Sequence, residues 1–277
     1  MNKLLPVYIK VRVGLGNQLS FLAEGLTLAL GTKRKLWMDM RFAGSANNRS
    51  SLKDSIEDFK FISQNKIQYI NENSTIKNKI ICNLLRTINT SYYFFGIYKV
   101  QKFKYFTYFL VNPKHHFEGN SARNILSNIE FFQSVTLRNP SKFYLELENV
   151  MLKRISIHYR YGDYEKWHSG MYLIQPDRYI ELINELYKAN EGFEKEVWIF
   201  TDDILSFQSK FKTNLDIKII SSNKLSPSEE LFLLSKSSYI IGSNSTFSFW
   251  ACVFHKSLNS VYVPANSLTL PGWNVYS

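Results

Sequence analysis

The sequence predicts an α/β protein of two domains, the second a Rossmann-like domain on a mostly parallel sheet. Three observations carry that expectation. The chain has 277 residues, enough for two modest domains whose cores need no covalent staples. Its opening reads strand, tight turn, helix, strand, as a βαβ unit begins. From residue 154 onward, short β-branched runs alternate with helical patterns, the signature of a parallel sheet covered on both faces.

In order along the chain, the first strand spans 7–13 and is β-branched and half alternating. Gly14-Leu15-Gly16 breaks it, 17–30 is helix-forming, and a second strand follows at 35–40. The turn after the first strand of such a unit lies at the ligand-facing edge of its sheet. Between 41 and 153 the periodicity weakens into a polar loop at 44–51, helical stretches and a basic aromatic segment, and no topology emerges. Then come strand 154–159, helix 177–188, strand 197–201, helix 204–211 and strand 217–220. Helix 227–235, strand 239–241, helix 246–254 and strand 260–263 complete the pattern. The helix at 227 has the clearest start. Ser226 suits the N-cap, Pro227 the first helical position, and Glu229 completes a capping box. The domains are set at 1–150 and 151–277, where the alternation becomes regular.

Cys82 and Cys252, one in each half, are the only cysteines. They exclude a disulfide framework and a clustered metal site, and a reducing compartment fits. The N-terminal apolar run breaks too early for a signal peptide, and no uncharged stretch is long enough to span a bilayer, so a soluble or peripheral protein is expected. A net charge of +11 and a pI near 9.4 favour an anionic ligand or surface. The charge is uneven, since 73–117 holds Lys and Arg but no Asp or Glu, interleaved with Tyr92-Tyr93-Phe94-Phe95, Tyr98, Phe103, Tyr105-Phe106 and Tyr108-Phe109. That mixture suits an interfacial helix or hairpin on an anionic membrane. It equally suits an ordinary helix or strand pair that packs its rings inward.

Three polar clusters follow predicted strands. His158-Tyr159-Arg160-Tyr161-Gly162-Asp163-Tyr164 carries Arg160 out of a strand into a Gly-containing turn, where a planar guanidinium can grip two oxygens of a diphosphate. Asp163 would fix the turn or orient Arg160; without a ligand, the same residues make a strand-end ion pair. Thr201-Asp202-Asp203 ends a second strand, and Ser243-Asn244-Ser245-Thr246 follows a third and opens a helix; either also reads as plain capping sequence. Three such clusters at three strand ends of one sheet would converge on one crevice. Gly14-Leu15-Gly16-Asn17-Gln18 is a further candidate for close approach to a ligand at a helix N-terminus, or simply a tight turn. There is no nucleophile elbow, P-loop or zinc motif, so hydrolase and kinase chemistry lack support. No Asp-x-Asp triplet occurs and the five histidines lack metal-ligand spacing. A reaction without an essential divalent ion is expected, with no metal ligands and no cofactor. Nucleic-acid binding rests on charge alone and is not expected.

Four pieces, in this order, resemble the alpha-1,2-fucosyltransferase family, glycosyltransferase family 11. They are Gly14-Leu15-Gly16-Asn17-Gln18-Leu19, the stretch from His158 to Tyr164, Phe200-Thr201-Asp202-Asp203, and Asn244-Ser245-Thr246-Phe247-Ser248-Phe249-Trp250. The resemblance implies a GT-B-like pair of Rossmann-type domains. GDP-fucose would be the donor substrate, held mainly by the second domain, and the acceptor would be held mainly by the first. The implied reaction is metal-independent, inverting transfer of fucose to the 2-OH of a terminal galactose. It places Arg160 on the donor diphosphate, His158 near guanine, Glu230 at the guanine edge, Ser245 and Thr246 by the diphosphate, and Asn17 over the donor. Asp202 and Asn244 complete the donor-binding set. Asp163, with Glu165, His168 and Asp39, is a candidate for the base that takes the acceptor proton. Tyr161 departs from the family, which usually has a second Arg there. The acceptor is expected to be a galactose-terminated oligosaccharide, free or lipid-linked. The setting is cytoplasmic, with peripheral contact at the inner face of a bacterial plasma membrane, in surface-polysaccharide synthesis. Two alternatives stay open: a GT-B transferase using another nucleotide sugar, and a non-catalytic protein that binds anionic membrane or nucleic acid.

Overall fold

The computed structural model describes residues 6–11, 14–42, 56–61, 67–71, 73–94, 125–165, 170–190, 192, 196–220 and 224–277. The chain divides into two compact α/β units, Met1–Thr136 and Leu137–Ser277.

The first unit carries β1 (Val7–Lys10), α1 (Leu15–Gly31), β2 (Leu36–Asp39), β3 (Ile67–Ile70), α2 (Ile76–Phe94) and α3 (Ile129–Gln133). Its strands form a parallel sheet in the order β1-β2-β3, with Val7 opposite Leu36 and Leu36 opposite Ile67. Val7, Tyr8 and Ile9 are all buried, so the strand is covered on both faces, as parallel strands are. The strand stops short of the expected residue 13. The helix takes in Leu15 and Gly16, because Gly14 is its N-cap. Gly25 lets α1 lie close on the sheet: a Cβ there would meet Ile9 Cδ1 at 2.2 Å and Leu36 Cδ1 at 2.7 Å.

α2 covers the start of the basic aromatic segment, and the side chains of that segment's rings lie outside the described residues. Its residues Cys82 and Leu85 pack with Tyr8 and Ile70, while Ile76, Ile80 and Leu84 stand 76%, 61% and 62% exposed at a spacing of four. One face is therefore core and a second apolar stripe faces outward. The rest of the segment, from Phe95 on, lies outside the described residues.

The second unit runs α4 (Lys142–Met151), β4 (Ile155–Tyr159), α5 (Pro176–Ala189), β5 (Glu196–Thr201), α6 (Ile204–Lys210) and β6 (Asp216–Ile220). It continues through α7 (Pro227–Leu234), β7 (Tyr239–Ile241), α8 (Thr246–Phe254), β8 (Val261–Pro264) and β9 (Asn274–Tyr276). All six strands are parallel, in the order β9-β8-β7-β4-β5-β6. The chain starts in the middle at β4, builds outward through β5 and β6, then returns to β7 on the other side. That is the Rossmann order, with its switch point between β4 and β7. All five residues of β4 are buried, as the centre of a doubly covered sheet requires. Trp198 on β5 and Trp250 on α8 are fully buried as well.

Two elements of this unit escape the sequence pattern. α4 precedes the regular alternation; Ser141 caps it, and Tyr144, Leu147 and Met151 are buried. It packs on α7 through Tyr144 and Phe232, and Glu229 accepts the Ser141 N–H at 2.6 Å. β9 is three residues long with Val275 55% exposed, and Pro271-Gly272 just before it reads as a turn. The expected capping box at α7 is present, with Ser226 Oγ accepting from Glu229 N and Glu229 Oε2 accepting from Ser226 N. Among the described residues, no helix is long and apolar enough to cross a membrane.

Candidate active site

The three clusters that follow predicted strands sit at the carboxyl ends of β7, β4 and β5, which are neighbours in that order. The crevice they line is at the switch point, where open parallel sheets bind ligands.

Arg160 leaves β4 half-buried, and its Nη1 lies 2.7 Å from Asp202 Oδ2, with side chains 23% and 27% exposed. The other carboxylate oxygen of Asp202 accepts the Tyr161 N–H at 3.2 Å. Asp202 thus ties the end of β5 to the chain leaving β4. Gly162 is needed for this fit, since a Cβ there would lie 2.5 Å from Asp202 Oδ2. A 3-10 turn follows at Gly162–Glu165. It brings the Tyr164 ring under the Arg160 guanidinium, 5.5 Å from its centroid, and Tyr164 donates to the carbonyl of Asn244 at 3.1 Å. The turn after β4 is thereby bonded to the loop after β7. Asn244 also donates to the Tyr172 carbonyl at 3.1 Å.

His158 joins the same two loops from below. Its Nδ1 is 2.8 Å from Ser243 Oγ and 3.3 Å from Ser245 Oγ, and its ring stacks on Phe247 at 5.2 Å. Burial, and then the Arg160 charge, push its pKa down to about 3. The ring is therefore neutral at any working pH and holds a hydrogen bond rather than a charge. Ser245 is the N-cap of α8 and accepts the Ser248 N–H at 3.0 Å. Thr246, half-buried, is the first residue of that helix. Asp203 caps α6, and hydrogen bonds from Ser206 hold its carboxyl below the usual range. For Ser245 and Asp203 the capping role is thus real, and it orients the loops that carry their neighbours.

Other candidates fall elsewhere. Asn17 lies in the first turn of α1 and Asp39 ends β2, both in the first unit. Asp39 is fully buried, accepts from Tyr8 OH at 2.8 Å and pairs with Arg41 at 2.7 Å. Its oxygens are committed to these partners and burial closes it to substrate. Glu230 is buried in the first turn of α7. Glu165 is exposed, accepts from Tyr161 OH and pairs with Lys210 at 3.6 Å. The side chain of Asp163 and all of His168 lie outside the described residues. Tyr164 as the platform under Arg160, and Lys210, were not anticipated. Aromatic residues in a turn carry no cue to a guanidinium above them, and nothing local connects Lys210 to a motif 49 residues earlier.

The chemistry open to this site is the holding of an anion: a guanidinium on an aromatic platform, a helix N-terminus at α8, and a hydroxyl-rich loop between them. Among the described residues no group of three or more His, Cys, Asp or Glu is placed to hold a metal ion.

Comparison with known proteins agrees with the fold. NodZ alpha-1,6-fucosyltransferase co-crystallised with GDP superposes with a TM-score of 0.53 at 14% identity, covering 91% of this chain and 92% of that one. Fucosyltransferase NodZ from Bradyrhizobium gives 0.54 at 15% identity, over 91% and 92%. POFUT1 in complex with GDP-fucose gives 0.52 at 11% identity, over 100% and 98%. At these identities the likeness is one of fold, which is α/β and GT-B-like. No curated protein matches the sequence. The profile of Glycosyl transferase family 11 matches residues 7–269. That span takes in both units and every loop that meets at the switch point, so the chain belongs to glycosyl transferase family 11, the fucosyltransferase family that includes the alpha-1,2-fucosyltransferases.

Proposed function

We propose that this protein transfers fucose from GDP-fucose to the 2-OH of a terminal galactose, with inversion and without a metal ion. The observation that carries the reading is Arg160. It leaves the central strand at the switch point, lies over Tyr164 and is held by a carboxylate that a diphosphate can replace. The acceptor oxygen attacks the fucose anomeric carbon as the bond to GDP breaks, through an oxocarbenium-like state. Negative charge grows on the β-phosphate and is met by Arg160 and by the free amides at the start of α8. Asp163, in the turn directly after Arg160, is the carboxylate we assign to the acceptor proton. Ser245, Thr246, Asn244 and Asp202 line the donor site, with His158 beneath it and Glu230 for guanine. The four motifs shared with the alpha-1,2 enzymes support the linkage, and GDP and GDP-fucose in the NodZ and POFUT1 structures named above support the donor.

Two measurements test it. GDP is expected to raise the melting temperature while UDP and CMP leave it unchanged, since selective binding to the folded state stabilises it. Product-linkage analysis with GDP-fucose and a panel of galactose-terminated acceptors is expected to return an alpha-1,2 bond. Stabilisation by UDP and not GDP would remove the donor assignment, and any other linkage the acceptor assignment.

The acceptor reading extends to lipid-linked saccharides at the cytoplasmic face of a bacterial plasma membrane, in surface-polysaccharide synthesis. Its support is α2, which carries Lys77 and Lys79 and no acidic residue beside the outward stripe of Ile76, Ile80 and Leu84. An apolar stripe among cations suits an anionic lipid surface. Binding to phosphatidylglycerol vesicles but not phosphatidylcholine vesicles is expected. Ile80→Glu combined with Leu84→Glu should weaken it by about tenfold or more, with unchanged circular dichroism. Equal sedimentation of the variant would show that this stripe does not meet lipid.

A further inference from the structure

Tyr161, the residue after Arg160, is reached by a cation from another element. The Tyr161 ring is buried and stacks on Tyr159 at 5.9 Å. Its hydroxyl donates to Glu165 Oε1 and accepts from Lys210 Nζ. Lys210 is the last residue of α6. Its Nζ lies 3.6 Å from Glu165 Oε1 and 4.2 Å from the centroid of the Tyr161 ring. Tyrosine, carboxylate and ammonium thus close a triangle.

Two corners of that triangle, Tyr161 and Glu165, bound the turn that follows Arg160, and the third stands on α6. Within the turn, the Tyr161 carbonyl accepts from Tyr164 N at 2.7 Å and from Glu165 N at 3.3 Å. Tyr161 N holds one oxygen of Asp202 while the other oxygen holds Arg160. Tyr164, inside the turn, is the platform under the same guanidinium. Asp202 and Tyr164, two groups that hold Arg160, are thus bonded to or part of a segment whose ends Lys210 ties together.

We propose that Lys210 is a positioning residue for Arg160, acting through Tyr161 and Glu165. This also assigns Glu165 to the brace rather than to the acceptor proton. An exposed ion pair of this kind contributes little to folding, so its removal should leave the fold intact. Its effect falls on geometry, because displacing a charged ligand by about 1 Å can cost on the order of a hundredfold in rate.

The inference rests on reading Arg160 as the diphosphate ligand, and the experiment separates the two. Amide hydrogen exchange at Tyr164 and Glu165, without ligand, reads the brace; GDP titration of the wild-type protein reads the donor assignment. Lys210→Met is expected to speed that exchange and to weaken GDP binding, each by about threefold or more, and to lower kcat for transfer by about tenfold or more, since Arg160 meets charge that grows in the transition state. Lys210→Arg should restore both affinity and protection. Tyr161→Phe should match Lys210→Met, and the double variant should be no worse than either single, because both break one triangle. Lys212→Met, two residues on, should do nothing. Unchanged exchange and unchanged GDP affinity in Lys210→Met would overturn the proposal. If the wild type bound no GDP, the donor assignment would fall, and exchange alone would uphold or overturn the brace.

Discussion

Arg160→Ala is expected to lower kcat/KM for fucose transfer by about 10³-fold or more, a loss of about 4 kcal/mol in transition-state stabilisation. The size follows from where charge develops. The departing diphosphate gains charge as the glycosidic bond breaks, and Arg160 is the fixed, permanently charged group of the described site that comes off the central strand at the switch point. The fold should survive, since Arg160 is 23% exposed and its partner Asp202 is 27% exposed. Asp202 would keep the Tyr161 N–H and gain water. Arg160→Lys should lie within about tenfold of the alanine variant, because one ammonium cannot grip two phosphate oxygens in a plane. The checks are steady-state transfer rates and a melting curve for each variant. A folded Arg160→Ala enzyme with near-normal turnover would end the assignment of this residue.

The second large effect concerns stability in acid. His158 is buried between the loops after β4 and β7, and its pKa is about 3, lowered first by burial and then by Arg160. In the unfolded chain a histidine titrates near 6.5. Between those values the unfolded state binds a proton that the folded state refuses, so unfolding becomes easier as pH falls. The contribution is whole above pH 6.5, shrinks through the window, and is gone near pH 3. By pH 4 about 3 kcal/mol of it has been lost. His158→Gln keeps a hydrogen-bonding side chain beside Ser243 and Ser245 but has nothing to protonate. Urea unfolding at pH 7 and pH 4 is therefore expected to show the wild type losing about 3 kcal/mol more than His158→Gln. Equal losses would mean that the ring is protonated in the folded state. The same argument removes His158 from any pH limb of the transfer rate near neutrality.

How much of this was legible beforehand depends on how local its cause is. The capping box at Ser226 and Glu229, the strand ending at Ile241 and the helix opening at Thr246 are set by neighbouring residues, and each is where the sequence puts it. α4 was missed because it stands before the alternation that marks the second unit. β9 was missed because three residues after a Pro-Gly turn carry too little pattern to announce a strand. The site residues divide the same way. That Arg160, Asp202 and Asn244 follow strands is readable from alternation. That Asp39 is enclosed by Tyr8 and Arg41, and Glu165 held by Tyr161 and Lys210, is not.

The amino-acid order by itself thus determined an α/β chain with a regular parallel second half, three polar clusters at strand ends, and an arginine suited to a diphosphate. Each of these follows from periodicity or from residue chemistry within a few positions. Only the tertiary structure decided that the clusters meet, because that requires β7 to lie against β4 and β4 against β5, pairing Ile157 with Ile241 and His158 with Phe200. It also decided that Lys210 reaches the Tyr161 hydroxyl and Glu165. Such contacts join residues far apart in the chain, and they form only when burial of the two faces of the sheet fixes strand order. No local pattern encodes that order.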